Sequence, residues 1–205
     1  MDIKLIDLFK TATDDLFSDP TTDLVFEHSL LDRLLLIYEE CKKQLTTSKD
    51  FNIEILLQSA KIIKSFVEQH HEKLEEEYIF PALKSEYKEL VDTLTLQHKL
   101  SRQLTDQVIK LCNKNTLESL YEKSKLVAIL CTFIKMYRVH ASRENTILFP
   151  AFKEYSSKEE MLEISEKFEE LETNKFGAKG DRSLIPIIEK LEKALSINDI
   201  NKFTP

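Results

Sequence analysis

Apolar residues recur three and four positions apart through four long stretches of this chain, at about 23–46, 51–86, 89–113 and 120–155. Leu24, Leu31, Leu34, Leu35 and Tyr38 line up this way in the first stretch; Ile55, Ile62, Ile63, Phe66, Val67 and Leu74 do so in the second. That period places apolar side chains along one side of an α-helix. Polar links, "TTSKDFN" and "NKNTLESLYEKSK", part the first stretch from the second and the third from the fourth. Four amphipathic helices on short links predict an all-α, up-down-up-down four-helix bundle. The chain then divides into an N-terminal segment, 1–19, the bundle, 20–155, and a C-terminal helical extension, 156–205. The N-terminal segment holds a short helix ahead of the turn "SDPTTD". The extension opens on a capping-box pattern from Ser157 to Glu160. It turns at "NKFGAKGDRS", which contains both glycines, and ends in a helix around "LIPIIEKLEKAL".

Composition supports this picture and narrows the partners. With 205 residues, 42% of them hydrophobic, the chain can bury a full core. Only 2 glycines and 5 prolines interrupt it, too few for a many-turned β fold. A net charge of −7 argues against nucleic acid, whose phosphates call for clustered Lys and Arg. No apolar run reaches membrane-spanning length, and "MDIKLIDLFKTATDDLF" lacks a basic leader, so a cytoplasmic protein is expected. Cys41, Cys112 and Cys131 show no C-x-x-C spacing and read as small buried residues in a reducing compartment.

The chemistry lies in a near-repeat. "HHEKLEEEYIFP" at 70–81 and "VHASRENTILFP" at 139–150 align on Phe80-Pro81 and Phe149-Pro150. His71 then matches His140 and Glu75 matches Glu144, while His70 falls opposite Val139. Four residues is one helical turn, so each His and Glu can reach a common point. His28 and His98 sit on the other two helices. Positions midway between 28 and 71, and between 98 and 140, fall inside the two polar links, and the midpoint of 71 and 98 falls just past Pro81. In an antiparallel bundle all four histidines therefore share one layer. One His-x-x-x-Glu alone would read as a solvated helix face; the duplication with two layer-matched histidines does not. Imidazole with carboxylate suits iron, manganese or zinc, and two carboxylates can bridge two ions that each take two imidazoles. The candidate metal ligands are His28, His71, Glu75, His98, His140 and Glu144. His70 reads as a surface or supporting histidine, and Glu76 and Glu77 as solvated. Glu72 is a lesser ligand candidate. Tyr78 and Tyr137 lie on the ligand face as packing residues with a bonded hydroxyl. Pro81 and Pro150 are expected to kink or end their helices.

These motifs resemble the hemerythrin-like HHE cation-binding family over about residues 20–155. The resemblance implies a helical bundle holding two non-haem iron ions. In the family's oxygen carriers the third helix has a second histidine four residues after the first; here Arg102 stands there, one turn from His98 on the side of the layer. As a guanidinium that cannot ligate, it is expected to turn toward a carboxylate at the rim or to screen a bound anionic ligand. The carriers' last pair is His and Asp five apart, whereas His140 and Glu144 are four apart. Four histidines with two glutamates are closer to the family's iron-centre repair proteins, although their cysteine-bearing N-terminal segment has no counterpart here. Three functions follow as expectations: a di-iron protein that binds or reacts with dioxygen, nitric oxide or peroxide, an iron donor or store for damaged iron centres, and a metal-stabilised structural bundle.

Overall fold

A computed structural model describes residues 19–47 and 51–203, and all regular structure in them is helical. The short helix expected at 1–19 lies outside the described residues. Helix α1 spans Pro20–Thr47; Asp19 caps it, its carboxylate accepting the Thr21 amide N–H at 3.0 Å. Helix α2 starts at Ile53, where Asn52 accepts the Glu54 N–H, and runs to Leu83. Helix α3 spans Lys88–Leu111. A short helical turn, Lys114–Glu118, leads to α4, which starts at Leu120 behind the Ser119 cap and continues to Tyr155.

Two of these helices widen where the repeat places its carboxylates. In α2 the stretches Ile63–His71 and Glu75–Ile79 are π-helical, and in α4 so is Glu144–Leu148. The Phe80 N–H bonds the Glu75 carbonyl and the Phe149 N–H bonds that of Glu144, five residues back in each case. Proline follows immediately both times. It has no N–H for an α-helical bond, and its ring would strike the carbonyl four residues earlier. An extra residue in the turn relieves both conflicts, so the helices widen at these prolines and run on to Leu83 and Tyr155.

Helix α1 packs on α2 and α4, α3 packs on the same two, and α2 and α4 also meet where Phe80–Leu83 lies against Phe149–Tyr155. Their apolar faces form two buried clusters. On every helix the cluster changes across the candidate histidine: Leu24 to Leu30 about His28, Leu74 to Val67 about His71, Leu94 to Leu104 about His98, and Leu148 to Tyr137 about His140. The candidate site is thus a polar layer between two hydrophobic plugs.

The extension packs on the outside of this bundle. Helix α5, Lys158–Phe176, begins with the Ser157–Glu160 capping box and stops at Gly177, whose φ of +78° suits a residue without a Cβ. It lies on α1, with Phe168 buried. Helix α6, Ile185–Ala194, lies on α1 and α2, and Arg33 holds Glu192 through two hydrogen bonds of 2.8 and 2.6 Å. Cys41 and Cys112 are buried as free thiols and Cys131 is half-buried. Among the described residues no helix is long and apolar enough to cross a membrane.

Candidate metal centre

The structure brings all six candidate ligands into one layer. His28 and His71 set their Nε2 atoms 3.0 Å apart, and so do His98 and His140. Glu75 and Glu144 lie between the two pairs, each presenting one oxygen to either side. Glu75 Oε1 is 3.5 Å from His71 Nε2 and its Oε2 is 3.3 Å from His98 Nε2. Glu144 Oε2 is 3.4 Å from His28 Nε2 and its Oε1 is 3.0 Å from His140 Nε2. The result is two four-donor groups, His28–His71–Glu75–Glu144 and His98–His140–Glu75–Glu144, that share both carboxylates.

Each imidazole is aimed by a bond at its outer nitrogen. Asn145 Oδ1 lies 2.8 Å from Nδ1 of His28, and Glu27 Oε2 lies 2.6 Å from that of His71. Glu76 Oε1 lies 3.1 Å from Nδ1 of His98, and Gln97 Oε1 lies 2.9 Å from that of His140. An oxygen acceptor on each Nδ1 keeps the proton there and turns the bare Nε2 lone pair inward. Phe149 stacks on His28 and Phe80 on His98, so each repeat's phenylalanine braces a histidine from outside its own repeat.

Charge completes the site. Glu75 and Glu144 are fully buried, yet none of their four carboxylate oxygens has a hydrogen-bond partner. Buried carboxylates are otherwise paired or bonded, so this donor set fits cations and little else. Burial works against a charged imidazole at His71, but Glu75, Glu27 and Glu144 outweigh it and raise its pKa to about 9. His98 is raised to about 10, where Glu75 and Glu76 overcome its burial. Burial would raise Glu27 as well, yet its bonds to His70 and His71 hold it down at about 2.

Two expectations change, for Glu76 and Tyr78, and two are decided, for His70 and Arg102. Glu76 is not solvated: it is half-buried, bonds His98 and accepts a 2.7 Å bond from Arg102. Of the two roles expected for His70 the supporting one holds: it is buried, 3.2 Å from Glu27, which aims His71, and edge-on to Phe176 of the extension. Tyr78 turns away from the ligands to pack against Phe168. Arg102 turns to carboxylates at the rim, as its chemistry predicts: Glu72 and Glu76 hold its guanidinium outside the layer. Glu72 is fully buried but belongs to neither four-donor group; it accepts bonds from Ser101 and from the Tyr137 hydroxyl on the outer side of His98. The supporting oxygens of Glu27, Gln97 and Asn145 were not singled out from the sequence. Their signal is adjacency: Glu27 and Gln97 precede the single histidines, and Asn145, like Glu76, follows a layer carboxylate.

A family model, the hemerythrin HHE cation binding domain, matches residues 19–152. The chain belongs to this family. All six layer residues fall inside the matched span, whereas α5 and α6 lie beyond it. An uncharacterized protein of Mycobacterium bovis is 35% identical over 185 residues, which is 89% of this chain and 72% of the relative. Uncharacterized proteins from two Mycobacterium tuberculosis strains match to the same extent. No solved structure matches the chain. Hemerythrin-like membership implies metal binding, and the His–Glu layer fits a metal site.

Proposed function

We propose that this hemerythrin-like protein is a non-haem di-iron protein that binds or reacts with a small oxidant: dioxygen, nitric oxide or peroxide. The ligands are His28 and His71 for one ion and His98 and His140 for the other, with Glu75 and Glu144 shared. The observation that carries this reading is the pair of buried carboxylates whose four oxygens meet only imidazole nitrogens. Two imidazoles and two shared carboxylate oxygens leave positions free on an ion that favours higher coordination, and open positions go with chemistry at iron. When bound, the ions would supply redox equivalents and a place for the small molecule.

The chain's own contribution is orientation and exclusion. Four Nδ1 bonds fix the imidazoles, and the apolar clusters on either side exclude water from the layer. The same reading takes the four long helices as an up-down-up-down bundle at 20–155, and the protein as cytoplasmic.

The test is elemental analysis after growth with ample iron, followed by optical spectra under air and with azide, nitric oxide or peroxide. Two iron ions per chain and new charge-transfer bands with added ligand are expected. One ion or fewer, or bands indifferent to every ligand, would refute the proposal.

A further inference from the structure

Outside the layer a second group of donors converges. Glu72, Glu76 and His98 each bring one ligand atom to within 4.8 Å of the others. Glu72 is fully buried; its Oε1 accepts from Ser101 at 2.5 Å and from Tyr137, but its Oε2 has no directed hydrogen bond. The charge facing that oxygen is Arg102, whose Nη2 stands 2.7 Å away while donating to Glu76 Oε1, also at 2.7 Å. Lys73 takes the outer oxygen of Glu76 at 2.9 Å. A single guanidinium nitrogen therefore serves two carboxylates and satisfies one.

Of this group the layer uses, beside its own His98, only Glu76, whose oxygen aims that histidine. The two halves of the centre correspond, His28 with His98 and Glu75 with Glu144. Carried across, Glu72, Ser101 and Arg102 fall on Ala141, Leu31 and Asp32, and Glu76 falls on neutral Asn145. Asp32 is exposed and Leu31 is core. The polar group has thus been added on the α2–α3 side alone. It adjoins the layer through one shared side chain: His98 turns Nδ1 to Glu76 and Nε2 to Glu75. It also reaches solvent, since the Arg102 side chain is 29% exposed and a surface cavity of about 710 Å³ ends on Glu76 and Phe80. Lys84 and Lys99 line that cavity together with Asp92, so its mouth holds no acidic field and selection for cations falls to the carboxylate pair.

We propose that Glu72 and Glu76 form a capture site for an incoming divalent metal ion, closed at rest by the Arg102 guanidinium. This rests on the reading of the layer as a metal centre. When the Arg102 side chain swings into solvent, two hard carboxylates meet a dication that matches their charge better than one guanidinium does. His98 is the wall between capture site and layer.

Metal-free full-length protein titrated anaerobically with Mn²⁺, with bound ions counted after dialysis, tests the assignment. Wild type should bind two ions per chain and Arg102→Ala three. Arg102→Ala combined with Glu76→Gln should return to two. Loading of the layer should be faster in Arg102→Ala by about tenfold, the factor carried by about 1.4 kcal/mol, and millimolar guanidinium should reverse the gain. Arg102→Gln, with circular dichroism as the check on folding, carries the same expectations should the alanine variant not fold. Two ions in both arginine variants at the wild-type rate would overturn the capture site and leave the layer standing. Failure of wild type to bind two ions would overturn the layer first and the capture site with it.

Discussion

Glu68 offers a measurement that depends on burial and not on metal. It lies on α2, one turn before Glu72, and is 4% exposed among Tyr38, Thr105 and Tyr137, with Oε1 unpartnered. Burial raises its pKa from the ordinary 4.5 to about 7; Thr105 opposes the shift and Glu72 adds to it. The folded state therefore binds a proton between these two values that the unfolded state has released. Stability must fall as pH climbs from the ordinary value through about 7, and the loss persists above it. At about 1.4 kcal/mol per pH unit between the two values, the cost reaches about 3 kcal/mol, an upper figure for a side chain that can relax. Glu68→Gln keeps the shape and removes the ionisation. Chemical denaturation of both proteins at pH 4 and pH 8 should give nearly equal stabilities at the lower pH, where the group is protonated in both states. At the higher pH the variant should gain about 1–3 kcal/mol, or roughly 2–4 °C in Tm for each kcal/mol. Comparing the proteins at one pH cancels the titration of the histidine layer. Equal stability at both values would mean that Glu68 is ionised at no cost, and the reasoning from its burial would be refuted.

Three shorter predictions concern the layer and the buried carboxylate beside it. His71→Ala should lose bound metal, while His70→Ala should hold close to the wild-type amount because His70 reaches Glu27 and none of the six layer residues; elemental analysis giving the reverse would break the alignment on the Phe-Pro doublets. Metal affinity should climb with pH through the neutral range, since the raised His71 and His98, at about 9 and about 10, hold protons that an ion must displace. Calorimetry in buffers of different ionisation enthalpy should detect that release near pH 7, and its absence would exclude imidazole ligation at these two positions. By the same shifts, their ion-pair contribution to the metal-free fold is full below the ordinary value of 6.5 and is lost as pH rises through about 9 to 10. Tyr137→Phe removes a buried donor from Glu72 and should cost about 1–3 kcal/mol in denaturation with the metal count unchanged; a variant as stable as wild type would show that Glu72 does not need that donor.

The six layer residues were legible because the sequence states the site twice. Two His-x-x-x-Glu blocks in the same register, with single histidines equidistant from the links, can be checked against each other. The supporting shell was less legible, although it is duplicated too. Glu27 matches Gln97, and Glu76 matches Asn145, but each match pairs an acid with an amide, so no shared residue type marks it. The burial of His70 was out of reach for a different reason. It depends on Phe176, at the far end of α5 and 106 positions further along the chain, a contact that no periodicity within α2 encodes.

The Phe-Pro doublets show how a sequence signal can be read correctly for position and incompletely for cause. Proline at 81 and 150 does disturb its helix, but the disturbance is taken up by a wide turn that starts on the layer glutamate. Widening adds a residue between Glu75 and Phe80, and equally between Glu144 and Phe149. The phenylalanine is thereby rotated onto His98 in one case and onto His28 in the other. A regular α-helix with its shorter turn would carry each ring elsewhere by about 100°. One local feature thus places a carboxylate between two imidazole pairs and braces an imidazole contributed by another helix. Because it occurs in both repeats, the two halves of the centre are held by the same device, and they differ in the charges around it: Glu27 with His70 beside His71, and the cluster of Glu72, Glu76 and Arg102 beside His98.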